Sequence, residues 1–410
     1  MANTTDEVRR TATRMLIVAF VAQNAASGFA FGSFGPMVQV FERELNVERS
    51  LSTAGLPLMI LALSLAAPFI GRATHRFTLR QLMSAGAAMM AAGFVLIAFA
   101  PDILTVLLGY GLLIGPGYAL LGVMLPSALV SRWYDEGVGR ALGIINMPLF
   151  IGVVPLITAW VFPAVGRSGV FLGLAAAAIC TLPLTLSIVD HPPRDREAAP
   201  GLDSLEHAGG AGILSLSEIL RSGTFWLICL SGSIIGGAAI SITTHIVPMA
   251  IGWGENPASA ALLLSVLGFA GIAGSPLFGW LCDRLGGLEA MAVACVLLIA
   301  LWSTLLVHPA FAILLPLALC LGIAGSGMAP TLASSIHQNF GSVNFSQVFG
   351  LFCLFSVPFL VGAPLLAGII FDTVGDYNPA ILIQAGLLAV GMIIALLARG
   401  RSVVAQTVAR

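Results

Sequence analysis

The 410-residue chain contains no lysine, and its 18 basic residues are all arginine. Charged residues of either sign make up only 9%, too few to cover the surface of a water-soluble domain of this length. The formal net charge of -1 implies no nucleic-acid or acidic partner. The six cysteines, Cys180, Cys229, Cys282, Cys295, Cys320 and Cys353, lack metal-like spacing, so no metal site is expected and they read as small packing residues. There is no phosphate loop, no nucleophile motif and no soluble segment to house one. An enzyme is therefore not expected, nor a cofactor, and ATP hydrolysis has no place to occur. The absence that says most about mechanism concerns the 19 acids, none of which sits in the middle of an apolar run. The nearest, Asp102, Glu255, Asp283 and Asp372, lie at run ends. Ionisable groups at a bilayer centre are costly and mark proton relays or ion sites, and no acid or arginine stands in such a position.

What the chain has instead is apolar length. Hydrophobic residues make up 58% and the mean hydropathy is +1.00, the composition of a polytopic membrane protein. Crossing about 30 Å of hydrocarbon takes about 20 helical residues. By that measure twelve spans are expected, near 15–40, 51–71, 80–100, 103–131, 138–163, 169–189, 223–252, 258–281, 288–307, 310–337, 345–371 and 379–398. The first run is too long for a signal-peptide core and is read as a retained span.

Arginine placement predicts orientation. With the N-terminus inside, cytoplasmic segments hold Arg9, Arg10, Arg14, Arg72, Arg76, Arg80, Arg132, Arg140, Arg194, Arg196, Arg221, Arg284, Arg399, Arg401 and Arg410, whereas outer loops hold only Arg43, Arg49 and Arg167. Both termini are expected in the cytoplasm. The expected organisation is a tail over 1–14, a six-helix bundle over 15–189, a linker over 190–221, a second six-helix bundle over 222–398 and a tail over 399–410. The linker reads as a solvated tether, with Ser215 and Glu218 forming a capping-box pair that can open a short helix.

The two halves repeat. Pro276–Gly286 reads Pro-Leu-Phe-Gly-Trp-Leu-Cys-Asp-Arg-Leu-Gly, a charged turn between apolar runs. About 208 residues earlier stand Pro68, Gly71, Arg72 and Arg76, with Thr74 and His75 where the acid would be. Gly115 and Gly117 likewise match Gly325 and Gly327. Gly279 permits close helix approach, while Asp283 and Arg284 can make charge-assisted hydrogen bonds to neighbouring loops and helix ends. Such contacts can hold one end of a transporter shut. Gly71, Arg72, Arg76, Arg140, Gly279, Asp283 and Arg284 are the expected gating residues.

Twelve spans in two halves, a central linker and Gly-x-x-x-Asp-Arg-x-Gly after the eighth span resemble the major facilitator superfamily. Further features resemble its monocarboxylate-porter-like branch and bacterial relatives. These are Phe31-Gly32-Ser33-Phe34 leading to Phe41-Glu42 and Arg49-Ser50, Arg132-Trp133-Tyr134 with Gly139-Arg140-Ala141, Phe225-Trp226, and Pro364 with Gly368, Asp372, Gly375 and Tyr377. That branch typically carries an Asp and an Arg in its eighth span, where residues 262–280 here have no ionisable side chain. The resemblance implies an all-α protein of two pseudo-symmetric bundles in a bacterial inner membrane, acting as a monomer on a small organic solute by alternating access, with a proton as the possible partner ion.

The expected substrate site is neutral: Gln23, Asn24 and Ser27 in span one, Tyr118 in span four, Asn146 in span five, Thr243 and His245 in span seven, and Phe352 and Phe355 in span eleven. Amides facing lipid would leave unpaired groups, which favours a cavity for them. Discontinuous helices are expected around Pro116, Pro148 and Pro248. His245 is the candidate for any proton coupling, because imidazole titrates near neutrality. The expected solute is an organic acid. A neutral ring compound such as a flavin, drug or metabolite efflux, and a non-transporting receptor remain as alternatives.

Overall fold

The computed structural model describes residues 2–192 and 212–398, and every regular element within them is helical. Arg194, Arg196, most of the expected linker and the tail with Arg399, Arg401 and Arg410 lie outside the described residues. Among the described residues, ten helices are long and apolar enough to cross a membrane: α1 Asp6–Glu44, α2 Leu51–Ala73, α3 Leu79–Ala98, α4 Ile103–Trp133, α5 Val138–Leu186, α6 Gly223–Gly252, α7 Pro257–Leu285, α8 Gly287–Leu305, α9 Phe311–Val374 and α10 Asn378–Ala398. Phe69, Leu156 and Trp160 are 71%, 67% and 82% exposed on them, a surface that water would not tolerate and lipid would. The chain is an integral membrane protein.

Two of the ten are too long for one crossing. At 1.5 Å per residue, the 49 residues of α5 and the 64 of α9 would extend about 74 and 96 Å, more than twice the hydrocarbon thickness. Each breaks at a glycine in an extended, positive-φ conformation: Gly166 (φ 63, ψ -173) and Gly341 (φ 72, ψ 172). A residue with a Cβ is strained there. The breaks fall in the gaps expected between spans five and six and between spans ten and eleven.

The remaining irregularities follow backbone chemistry. α1 carries a π turn over Gly28–Gly32, and α4 carries one over Gly109–Ile114. α5 is interrupted over Asn146–Pro148, as expected around Pro148. The expectation for Pro116 and Pro248 is corrected. Pro116 follows the π turn Gly109–Ile114 and the helix continues through it without a gap to Leu121, and Pro248 lies inside the unbroken helix Gly223–Gly252. Ser215 and Glu218 form the expected capping box, opening a helix over Leu216–Arg221.

The chain forms two compact units. The first comprises Met1–Asp135, Pro148–Ala208 and Ser342–Leu354, and the second Glu136–Met147, Gly209–Gly341 and Phe355–Arg410. In the first unit Phe41, Phe94 and Phe171 stack at 5.9 and 6.3 Å and join α1, α3 and α5. The segment after Gly166 also serves both ends of α3. Arg167 donates to the carbonyls of Ile97 and Ala100 while pairing with Glu44 at 2.8 Å, and Ser168 donates to Ala98. At the other end, Asp190 accepts from the N–H groups of Leu79 at 2.6 Å and Arg80 at 3.3 Å. Helix ends leave such groups unpaired, and these side chains satisfy them with the sign of charge that the helix dipole favours. In the second unit α6 has 72% of its apolar window buried, and the Ser231 hydroxyl donates to the Gly391 carbonyl of α10 at 2.9 Å.

Nothing lies within 4 Å of a Cβ built at Gly166 or Gly341, so any effect of adding one is conformational. Gly166→Ala and Gly341→Ala should each lower stability in detergent by about 1–3 kcal/mol, read from thermal unfolding, with helical content unchanged. Unaltered melting in both variants would show that the reversals do not need glycine.

Candidate functional site

At the arginine-rich end of the second unit, Gly137 takes a left-handed conformation (φ 70) and starts the short helix Val138–Ile145. The first amides of this helix have no acceptor within it. Asp283 of α7 supplies one. Its Oδ1 accepts from the Gly139 N–H at 2.7 Å, and its Oδ2 accepts from the Arg140 N–H at 3.1 Å and from Arg140 Nε–H at 2.8 Å. The Asp283 side chain is 16% exposed against 63% for Arg140. The amide contacts are therefore the sheltered part of the arrangement, and the ion pair lies at its rim, where water weakens it.

Close backbone approach makes this possible. A Cβ on Gly143 would lie 2.7 Å from the Ser275 carbonyl and 3.0 Å from Gly279 Cα. Only the absence of side chains at Gly139, Gly143 and Gly279 lets the helices touch, and the Ser275 hydroxyl then donates to the Gly143 carbonyl at 2.9 Å. Arg284 points elsewhere, its guanidinium 4.9 Å from the Trp280 ring of its own helix. In the first unit α2 meets residues 342–354 in the same manner. A Cβ on Gly71 would lie 2.6 Å from the Ser346 carbonyl and 2.8 Å from Gln347 Cα. Arg72 and Arg76 are exposed beside that contact.

The expected solute-facing residues divide between the units. In the first, Gln23 and Asn24 are buried, and Asn24 is committed to the fold: its Oδ1 accepts from the N–H groups of Leu149 and Phe150 at 3.0 and 3.3 Å, and its Nδ2 donates to Phe20. Asn24 thus restarts α5 after Pro148. Ser27 and Tyr118 come together, hydroxyl to hydroxyl at 3.3 Å, with the Phe31 ring edge-on to Tyr118 at 5.3 Å. Phe352 is 4% exposed and packs on Phe349, which makes it core. An open cavity of about 450 Å³ lies toward the end of α1, walled by Pro36, Met37, Val40, Ala159 and Phe162 and edged by Gln39, Arg43 and Glu44.

In the second unit, Asn146 donates to the Leu142 carbonyl at 2.8 Å and ends its helix, while exposed Thr243 bonds back to Ala239 within α6. The Phe355 ring packs against Trp226 with centroids 4.8 Å apart and the planes tilted by 58°. Both ring nitrogens of His245 have partners: Nε2 lies 2.9 Å from the Pro364 carbonyl and Nδ1 lies 3.3 Å from the Tyr377 hydroxyl. A carbonyl only accepts, so Nε2 carries a hydrogen, and in the neutral ring Nδ1 accepts from Tyr377. Burial, with Asp372 nearby, pushes the Tyr377 phenol above its usual range and keeps it a donor. Phe31, Tyr377, Trp226, Arg167 and Asp190 were not singled out as site or capping residues in the sequence. Only Asp190 leaves a signal there, as a lone acid closing an apolar run.

Comparison with known proteins follows this geometry. A family model described as Major Facilitator Superfamily matches residues 20–356 and 251–408. Human Monocarboxylate transporter 11 is 27% identical over 414 residues, covering 92% of this chain and 81% of its own. An uncharacterized MFS-type transporter of Bacillus subtilis, YcxA, is 24% identical over 77% of each chain. Among solved structures, FucP in its outward conformation superimposes with a TM-score of 0.73 at 15% identity, covering 94% of this chain and 97% of that one. The human organic anion transporter MFSD10 gives 0.68 at 17% identity, covering 94% and 99%. At these identities the two structures speak to the fold alone.

Cys282, adjacent to Asp283, is 1% exposed and serves as a reporter. Asp283→Ala should raise its alkylation rate at least fivefold, with charged hydrogen bonds worth roughly 1.5–3 kcal/mol removed, and leave membrane insertion intact. Mass spectrometry of the labelled peptides distinguishes Cys282 from the other cysteines, and equal rates in the two proteins would show that Asp283 does not hold this end together.

Proposed function

The chain belongs to the Major Facilitator Superfamily, and from that premise we propose that it moves a small organic acid across a bacterial inner membrane by alternating access, with both termini in the cytoplasm. As in that family, it is a secondary transporter and not an enzyme. The observation that carries the substrate reading is the match to monocarboxylate transporters across almost the whole chain. In this reading the breaks at Gly166 and Gly341 bring the number of crossings to twelve, and the monomer is the working unit.

The neutral lining is compatible with an acid. A carboxylate travelling with a proton crosses as a net-neutral pair, which needs donors and no fixed countercharge. In the first unit the Ser27–Tyr118 pair spends one of its two hydroxyl hydrogens on the mutual bond and keeps the other as a donor, and Arg43 at the cavity edge offers a positive charge. The Asp283 contact and the Gly71 contact are the closures that break when the arginine-rich end opens.

A second reading rests on the aromatic pairs Phe31 with Tyr118 and Trp226 with Phe355. Such faces suit a neutral ring compound, such as riboflavin, or a metabolite for export.

Proteoliposome uptake of labelled lactate, pyruvate and riboflavin, with and without an imposed pH gradient, separates these readings. Gradient-driven uptake of lactate or pyruvate is expected. Riboflavin uptake indifferent to the gradient would replace the acid reading with the ring reading, and absence of flux for all three would leave neither standing. Within the acid reading, His245→Gln tests coupling: loss of the gradient response is the outcome expected if the imidazole carries the proton, and an unchanged response removes it.

A further inference from the structure

The contact that Asp283 makes in the second unit has a counterpart in the first, built from different chemistry. Asp283 follows Gly279 by one helical turn, and His75 follows Gly71 by the same turn, about 208 residues earlier. The partners repeat with the same spacing: Gly139, which meets Asp283, stands about 208 residues before Gln347. The backbone approach repeats too, since Gly71 touches Ser346 and Gln347, and a Cβ on Gly350 would lie 3.1 Å from Pro68 Cα. His75 is half-buried at this contact and hydrogen-bonds the Gln347 side chain. Its Nε2 is buried and has no hydrogen-bond partner.

We propose that His75 takes the place of the missing acid and closes α2 onto residues 342–354 only while its imidazole is neutral, so that acidification on that side releases the contact. The proposal rests on the gating role given above to the Gly71 contact. The surroundings state why charge is unwelcome. Arg132 of α4, only 11% exposed, lies within electrostatic reach of the imidazole, and its own partners are Asp190 at 3.6 Å and His191 at 3.5 Å. Arg72 near the end of α2 and Arg76 in the turn after it flank His75 in the chain, and Gln347 on the facing segment is neutral. A proton placed on buried Nε2 would therefore meet no acceptor and a cation.

The direction of the pH effect follows. Burial, and secondarily Arg132, hold the imidazole below its ordinary value of 6.5, while the Gln347 bond opposes this. The closed contact thus binds fewer protons than the opened one. It is fully favoured above the ordinary imidazole range and weakens as pH falls through it, by at most about tenfold per pH unit for one proton. The Asp283 contact is made by a carboxylate, two backbone amides and a guanidinium, with no imidazole in it.

Hydrogen exchange of the full-length protein in lipid nanodiscs, at pH 7.5 and 5.5 and corrected for intrinsic rates, reads this without a substrate. Protection of amides in 342–354 should fall several-fold at pH 5.5, while amides of 138–145 keep theirs. His75→Gln, which retains a neutral hydrogen-bonding side chain, should abolish the difference, and His75→Asp should do the same. An identical pH response in His75→Gln and in the natural chain, or no response in the natural chain, would overturn the proposal. Either result leaves the transport reading to be judged by flux alone.

Discussion

A carboxylate seated on two backbone amides is the interaction around which the arginine-rich end is organised. Helices in a membrane satisfy their own backbone except at their ends, and an unpaired group near lipid has no water to turn to. Asp283 resolves this for the helix Val138–Ile145, and Asp190 resolves it for α3. In both cases the acid comes from a distant part of the sequence, so capping a helix also ties two segments together. A local cap such as Ser215 with Glu218 stabilises its helix and ties nothing.

That distinction explains how a cap can serve movement. When a long-range cap separates, two amides and a carboxylate lose their partners at once, and at the membrane edge water can replace them. The net cost is therefore small, of the order of a few kcal/mol, which would suit the reversible closure proposed for it. Burying the same carboxylate in the bilayer core would make the opened state prohibitive. Placement at the rim is thus a physical requirement of a reversible closure, and the glycines beside it keep the helices near enough for a short side chain to reach.

Long-range order was legible where it rests on length and on glycine. Apolar runs gave the helices, and gaps near Gly166 and Gly341 marked where two of them reverse, because run length is limited by bilayer thickness and reversal by backbone sterics. The Asp283 motif was legible because charge is rare in such a chain. The polar site was less so. Asn24 looked like a solute ligand and instead holds the backbone of α5, and Phe352 looked like a wall and is core. Register along a helix cannot tell which of several facing elements a side chain will meet, and a broken helix offers backbone donors that no composition reveals. Arg167, expected only as a loop charge, caps α3 for the same reason.

The asymmetry between the two repeats carries the mechanism one step further. Gene-like repetition of a fold predicts equal closures, yet one is held by an acid accepting amides and the other, in the proposed reading, by a neutral imidazole and an amide side chain. Backbone N–H groups donating to a carboxylate favour its charged form. An imidazole beside an arginine is favoured in its neutral form, and only above its own titration range. Both are the deprotonated forms, so acid acts on either in the same direction, but carboxylic acids as a class take up a proton about two pH units below imidazoles. In the proposed reading, accumulating protons would therefore release the His75 contact before the Asp283 contact.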